Sequence, residues 1–361
     1  MSAKRERIIN KQGAVPSFWV WDVTFALLIF AFVSGVRYNV GVDHLAYLNN
    51  YLTVQNSDHL VFDKEWGFDA VTVFFANLGI HFSLYFGFLA FLQIFFFYRT
   101  FKCERYLYPF LGVIIIFGPE YLNWMNGIRQ MLVATMFVYA IQFIVKKNWR
   151  AYFVIIALAT LIHQSAVLLF LIYFIPQRDF FKNRVITTIL VFCSLLLGQT
   201  NFWIQIVDSL SGLINLIGYG KIFSRLDTLI ADEQIRALGP RKVSIVLLAI
   251  LTIFFSGKLK LYFKESNFLI YYNLAIVGLL LSNLLSNAHH IFLRPVTYLV
   301  IFSVVTTAYL VVYLQKTSRK NILWLLATLL LAVCYLPISI IADYGKGDSD
   351  YSSYKFYWYH N

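Results

Sequence analysis

Residues 1–36 read MSAKRERIINKQGAVPSFWVWDVTFALLIFAFVSGV. The stretch Phe18–Val36 is an apolar run long enough to cross a bilayer as a helix, which takes roughly 17–25 residues. Lys4, Arg5, Arg7 and Lys11 precede it. Such a basic flank stays on the cytoplasmic side. No cleavable signal peptide is evident, so the run is read as the first membrane span and 1–17 as a cytoplasmic N-terminal tail.

The rest of the chain agrees with that opening. Of 361 residues, 60% are hydrophobic and 13% charged, against about 25% charged in a soluble domain. The mean hydropathy is +0.67. A soluble chain needs polar residues for its outer surface, and this one has too few. The 35 Phe and 24 Tyr suit helix contacts and membrane interfaces. The net charge of +12 does not indicate nucleic acid, because the basic residues sit in short clusters between apolar runs. Cys103, Cys193 and Cys334 are scattered and make neither a disulfide framework nor a zinc site.

Apolar runs predict spans near 18–36, 80–98, 106–119, 128–145, 184–200, 242–257, 267–286, 294–315 and 321–341. A short amphipathic helix is expected over 67–79. Residues 151–177 are apolar but interrupted by "HQS" (163–165). The fold class is therefore an all-α polytopic membrane protein with about 10–11 transmembrane or re-entrant helices, forming one membrane domain over 18–341.

Charge orients it. With the N-terminus inside, the cytoplasmic connections carry Arg99, Lys102 and Arg105; Lys146, Lys147 and Arg150; Lys258, Lys260 and Lys264; and Lys316, Arg319 and Lys320. Arg178, Lys182 and Arg184 join that side if 151–177 is a broken hairpin turning near His163. Asp43, Asp58, Asp63, Glu65, Asp69, Glu120, Asp227, Asp232, Glu233, Asp343, Asp348 and Asp350 then fall on the other side. So do the segments 37–66 and 201–241 and the C-terminal tail 342–361.

Four constellations carry chemistry. In "VRYNVGVDHLAYLNNY" (36–51), Arg37 ends the first span, and Asp43, Tyr47 and Tyr51 share a helix face at i, i+4, i+8. A carboxylate and two phenols on one face suit a sugar; a plain Arg37–Asp43 ion pair is the bland alternative. In "NWMNGIRQ" (123–130), Asn126-Gly127 signals a turn, so a helix starts about Ile128 beside Arg129 and Gln130. A helix start with an adjacent guanidinium suits an anion; snorkelling of Arg129 to the interface competes. In "ATLIHQSAVLL" (159–169), His163 and Gln164 stand at a break within an apolar run, where a neutral imidazole serves as a base or simply as a hydrogen-bonded structural residue. In "SNAHHIFLRPVTY" (286–298), His290 and Arg294 are four residues apart, although Pro295 raises the alternative that a new helix starts there. Arg37, Arg129 and Arg294 all lie at one predicted membrane boundary, and ionisable residues at such depth point to function. "DSD" (348–350) in the polar tail is weak as a metal motif, 202–218 reads as an amphipathic helix and possible lid, and no P-loop, dinucleotide, zinc or Ser-x-x-Lys motif is present. No metal and no cofactor are expected.

The order of "RYNVGVDHLAYLNNY" (37–51), "NGIRQMLVATMF" (126–137), "HQSA" (163–166) and a late-span arginine followed by a tyrosine, Arg294 and Tyr298, resembles the EpsG-like branch of the Wzy-type bacterial polysaccharide polymerases. His44 departs from the aromatic expected after the aspartate. The resemblance implies a multi-pass inner-membrane glycosyltransferase of O-antigen, lipopolysaccharide or exopolysaccharide biosynthesis, with a GT-C-like architecture. It would work at the outer leaflet without nucleotide sugar or metal. The growing glycan would pass from undecaprenyl pyrophosphate to the non-reducing end of another lipid-linked repeat unit, with a chain-length regulator as a protein partner. Such chemistry would place Arg37, Arg129 and Arg294 on the pyrophosphate and His163 as base, with Asp43 positioning the sugar. Tyr47, Tyr51, Asn126, Gln130, Gln164, His290 and Tyr298 would contact substrate. A flippase or transporter of the same lipid-linked glycan and a membrane O-acyltransferase are the competing classes.

Overall fold

The apolar runs fold as α-helices, except that the second half of 151–177 forms a 3₁₀ helix over Gln164–Phe174. The computed structural model describes residues 17–41, 43–56, 65–118, 120–200, 202–209, 239–288, 290–333 and 354–359. Residues 1–16, most of 201–241, the "DSD" motif and most of the 342–361 tail lie outside the described residues, as do Asp58, Asp63, Asp227, Asp232, Glu233 and Asp343. The helices are α1 (Trp21–Gly35), α2 (His44–Asn56), α3 (Trp66–Asn77), α4 (Phe82–Thr100), α5 (Tyr108–Phe117), α6 (Glu120–Asn126), α7 (Ile128–Val145), α8 (Trp149–Ile162), α9 (Arg184–Leu197), α10 (Phe202–Ser209), α11 (Pro240–Tyr262), α12 (Phe268–Leu284), α13 (His290–Val300), α14 (Phe302–Lys316) and α15 (Ser318–Val333).

Among the described residues, four helical stretches are long and apolar enough to cross a membrane: Phe82–Thr100, Ile128–Val145, Lys242–Tyr262 and Phe292–Lys316. Six further apolar helices have 10–17 residues, so several are shorter than the apolar runs that announced them. In the first span, for example, Trp19 and Val20 stay outside the helix, which begins at Trp21. Trp21 is 91% exposed, and Leu261 and Leu323 are each 77% exposed. Side chains of this kind on an outer surface belong in lipid and not in water. The protein is an all-α polytopic membrane protein. The expected span 294–315 begins earlier, at His290, and encloses Pro295. A turn at Ile301 divides it, while Ile301 N–H still donates to Thr297 O at 3.2 Å.

The chain divides into two compact units within "HQS": Lys4–Gln164 with Val333–Asn361, and Ser165–Ala332. In the first unit, α1 and α4 pack so closely that a side chain on Gly35 would meet the Ser83 carbonyl and the Gly87 backbone. Small residues let apolar helices approach in this way. The link between α7 and α8 is short, with Lys147 in the left-handed region at φ 53° and Asn148 Oδ1 accepting from Ala151 N–H at 3.2 Å. Arg99, near the end of α4, lies over the Phe18 ring at 5.2 Å, and Arg105 donates to Ser17 O. The basic residues thus gather where α1 begins and α4 ends.

The other end of the first unit is tied by the C-terminal segment. Phe356 forms an antiparallel bridge with Arg37. Tyr38 N–H donates to Lys355 O at 2.9 Å, and Tyr357 N–H donates to Val36 O at 3.1 Å. The Tyr354 hydroxyl donates to Val33 O at 2.9 Å, and the Tyr357 ring lies 5.0 Å from His81.

In the second unit, Lys260 pairs with Asp179 at 2.8 Å and donates to Phe181 O at 3.0 Å. Arg184 donates to Phe254 O at 2.9 Å. The Arg178–Arg184 cluster and the Lys258–Lys264 cluster therefore share one end of that unit. Asp179 is an acid among them, neutralised by Lys260.

Deleting residues 354–361 removes these backbone bonds and the buried Tyr354 hydroxyl contact. The truncated protein should melt earlier in detergent, by about 1–3 kcal/mol for the groups left unpaired. An unchanged melting temperature would mean the segment carries no structural load.

Candidate functional site

The site grows from a helix that breaks. α6 stops at Asn126 and α7 starts at Ile128, with Gly127 between them at φ −86°, ψ 58°. A break strands backbone carbonyls that a continuous helix would satisfy, and lipid offers them no water. Two polar side chains fill the gap. Gln93 of α4 donates to Trp124 O at 3.2 Å and to Ile128 O at 3.0 Å. Arg37 donates to Met125 O at 2.8 Å and to Ser34 O. The start of α7 therefore lies beside the middle of α4 and not level with its end.

Arg37 is consequently buried, 1% exposed, with its guanidinium 5.3 Å from the Phe86 ring. Burial pulls it down to about 10, and it remains charged at neutral pH. It serves here as a clamp joining the end of α1 to the end of α6. His44 is fully buried beside Phe86, 5.2 Å away. Its ring nitrogens find no partner among the described residues. Burial first, then the charge of Arg37, pushes it down to about 3, so it is a neutral core residue.

Asn126 turns back toward the first constellation. Its Oδ1 accepts from Asp43 N–H at 2.9 Å and sits 2.9 Å from where a Gly41 side chain would begin. Gly41 has φ +93°, a conformation that glycine tolerates best. Asp43 O then accepts from Tyr47 N–H at 3.1 Å, in the first turn of α2. Farther along α2, Tyr51 is 0% exposed, stacks on Tyr85 at 4.7 Å and donates to Ile80 O at 2.6 Å. Tyr51 is thus occupied by packing.

Arg129 and His163 meet through a residue that the sequence marked only as an acid, Glu65. Glu65 immediately precedes α3. Its Oε2 accepts from Arg129 Nη1, and its Oε1 pairs with His163 Nδ1. Oε1 also lies 3.3 Å from the Gln164 N–H that donates to it. Helix α8 ends at Ile162, and His163 is extended at φ −150°, ψ 118°, which turns the imidazole toward α3. Gly67 permits this approach, because a Cβ there would lie 2.8 Å from Leu161 Cβ.

Aromatic groups frame the guanidinium. Arg129 Nε donates to the Tyr47 hydroxyl at 3.3 Å. Its central carbon lies 5.3 Å from the Tyr47 ring and 5.2 Å from the Phe68 ring. The Arg129 side chain is 36% exposed, against 14% for Glu65 and 9% for His163. A charged, partly open guanidinium is therefore linked by one carboxylate to a nearly closed imidazole. His163 Nε2 has no partner among the described residues.

Burial pushes the Glu65 carboxyl up, but the bond to His163, the Arg129 charge and the Gln164 N–H outweigh it and hold it below the usual carboxylate range. The structure thus joins Tyr47, Arg129, His163 and the Gln164 backbone at Glu65, and pairs Asp43 with Asn126. Gln130 lies in the first turn of α7.

The remaining sequence candidates lie in the other unit. His290 and Arg294 share helix α13 with Tyr298. Tyr298 is fully buried, with its hydroxyl 2.6 Å from Ser165 Oγ.

The family model for the EpsG family matches residues 20–357. The chain belongs to the EpsG family. No curated protein and no solved structure matches it. Every residue of the Glu65 cluster lies within the matched span, and the EpsG family assigns the chain a polysaccharide-polymerase role, an activity of glycosyltransferase type.

The depressed Glu65 carboxyl gives a pH test. Its stabilising charge is fully present above the unfolded-state value of about 4.3 and is lost only as pH falls through the lower folded value. The stability difference between wild type and Glu65→Gln should therefore persist at pH 5–7 and disappear only below pH ~4. Loss of the difference already between pH 7 and 5 would contradict the ion-pair geometry.

Proposed function

We propose that this EpsG-family protein elongates a glycan at the outer leaflet by joining lipid-linked repeat units. The growing chain moves from undecaprenyl pyrophosphate to the non-reducing end of a second unit. One observation carries the reading: Glu65 couples Arg129, a cation with an open side, to His163, a base held by its Nδ1. The transfer needs both kinds of group within one cluster.

The chemistry balances as follows. The acceptor hydroxyl oxygen attacks the anomeric carbon. The bond from that carbon to the pyrophosphate oxygen breaks, and its electron pair leaves with the pyrophosphate. The hydroxyl proton passes to His163 Nε2, while Nδ1–H stays on Glu65. Negative charge gathers on the leaving pyrophosphate, where a guanidinium already in position stabilises the transition state. Arg129 is therefore the pyrophosphate ligand, and Asp43, Tyr47 and Asn126 line the approach for the sugar. Arg294, His290 and Tyr298 remain candidate substrate contacts of the second unit. The transfer is taken to be metal-independent, in a GT-C-like arrangement, with a chain-length regulator as partner.

The orientation follows from charge. Arg99, Lys102, Arg105, Lys146, Lys147 and Arg150 cluster at connections away from the Glu65 site. Basic connections favour the cytoplasm, so the N-terminus lies inside and the site faces outward, in a bacterial inner membrane.

Purified protein supplied only with lipid-linked repeat units tests this directly. Elongation is expected. Lipid movement in vesicles without elongation would indicate a flippase, and dependence on an acyl donor would indicate an O-acyltransferase. Arg129→Ala should slow elongation by about 10²–10³-fold, the usual loss for one donor to developing charge. His163→Ala should slow it by about 10²–10⁴-fold. Normal chain length in both variants, at wild-type protein levels, would refute the site.

A further inference from the structure

Glu65 sits where two demands meet, and the inference drawn from this rests on the polymerase reading above. One oxygen holds Arg129 Nη1 and the other holds His163 Nδ1. A diphosphate headgroup offers a guanidinium the same kind of oxygen acceptor as a carboxylate does. Arg129 has N–H groups beyond the one on Glu65, but two anions crowded on one guanidinium repel each other, so a bound diphosphate weakens the carboxylate's hold on Nη1. We infer that Glu65 is an internal competitor for Arg129: an arriving lipid diphosphate displaces the carboxylate from the guanidinium and leaves it to His163 and the Gln164 N–H. Donor binding and base activation are thereby one event.

The surroundings suit such an exchange. Arg129 does not depend on Glu65 for its place. Its Nε is held by the Tyr47 hydroxyl at 3.3 Å, and the rings of Tyr47 and Phe68 lie 5.3 and 5.2 Å from its central carbon. The guanidinium therefore stays while Nη1 changes partner. Glu65 has a second anchorage too, because Oε1 keeps both His163 Nδ1 and the Gln164 N–H at 3.3 Å. A carboxylate shared with an arginine is a weaker partner for an imidazole than one held by the imidazole alone. Release of Arg129 concentrates negative charge beside Nδ1–H and makes Nε2 the better proton acceptor. A base armed only by bound donor also protects against idle chemistry.

Glu65 is a positioning residue in this scheme, so its removal must split binding from turnover. The probe is undecaprenyl pyrophosphate in nanodiscs, compared with inorganic pyrophosphate and with uncharged undecaprenol. Glu65→Gln keeps the shape and loses the competing charge. It should bind both diphosphate probes about ten-fold more tightly, as expected when the closed form occupies about nine-tenths of the molecules. Undecaprenol binding should not change. In the elongation assay the same variant should show a lower KM with kcat reduced about 10²-fold. Arg129→Ala should lose the diphosphate probes. Unchanged or weaker diphosphate binding by Glu65→Gln, with binding lost in Arg129→Ala, would overturn the competition and leave the anion site standing. Unchanged binding in Arg129→Ala would remove the anion site itself. Equal tightening for undecaprenol would also overturn the competition, since charge would not be its cause. Glu65→Ala, which also removes the competing charge, carries the same binding test if Glu65→Gln fails to accumulate.

Discussion

A carboxylate largely withdrawn from water must find cations or donors, because the cost of burying it alone is several kcal/mol. Glu65 meets that requirement with Arg129, His163 and one backbone N–H. The bridge fixes the start of α3 against the start of α7 and the end of α8. Three segments far apart in sequence are thus held by one side chain. The same contact sets the charge balance of the site, keeping a guanidinium partly open and an imidazole nearly closed.

A second constraint lies underneath. The break at Gly127 brings Arg129 into position, but it leaves carbonyls unsatisfied inside an apolar bundle. Gln93 and Arg37 repair that cost. Arg37 in turn anchors the C-terminal segment through the bridge to Phe356. An arginine near the end of a span therefore has two different uses in this protein. Arg37 is spent on backbone, whereas Arg129 keeps a face available. Burial separates them, at 1% exposure for the Arg37 residue and 36% for the Arg129 side chain.

Much of the architecture was legible in apolar runs, because lipid demands continuous helices and interruptions stand out. The start of α7 at Ile128 followed from Asn-Gly, and the end of α8 followed from His163. The short helix α3 was visible near 67. Helix lengths were less legible, since run length counts apolar residues and not the turns that consume them. Glu65 was missed as a site residue for a physical reason. Its role comes from contacts 64 and 98 residues away, which no local pattern encodes. A carboxylate directly before an amphipathic helix was the available signal. Tyr51 shows what spacing leaves open: it places the ring on a face with Asp43 and Tyr47, and the fold then stacks it on Tyr85.

Whether a lipid diphosphate and Glu65 compete for one guanidinium is seen most directly in a cryo-EM structure of the protein in nanodiscs with undecaprenyl pyrophosphate. A diphosphate oxygen is expected within hydrogen-bond distance of Arg129, with the Glu65 carboxylate withdrawn from it and still on His163. A diphosphate bound elsewhere, with the Glu65–Arg129 pair intact, would contradict it.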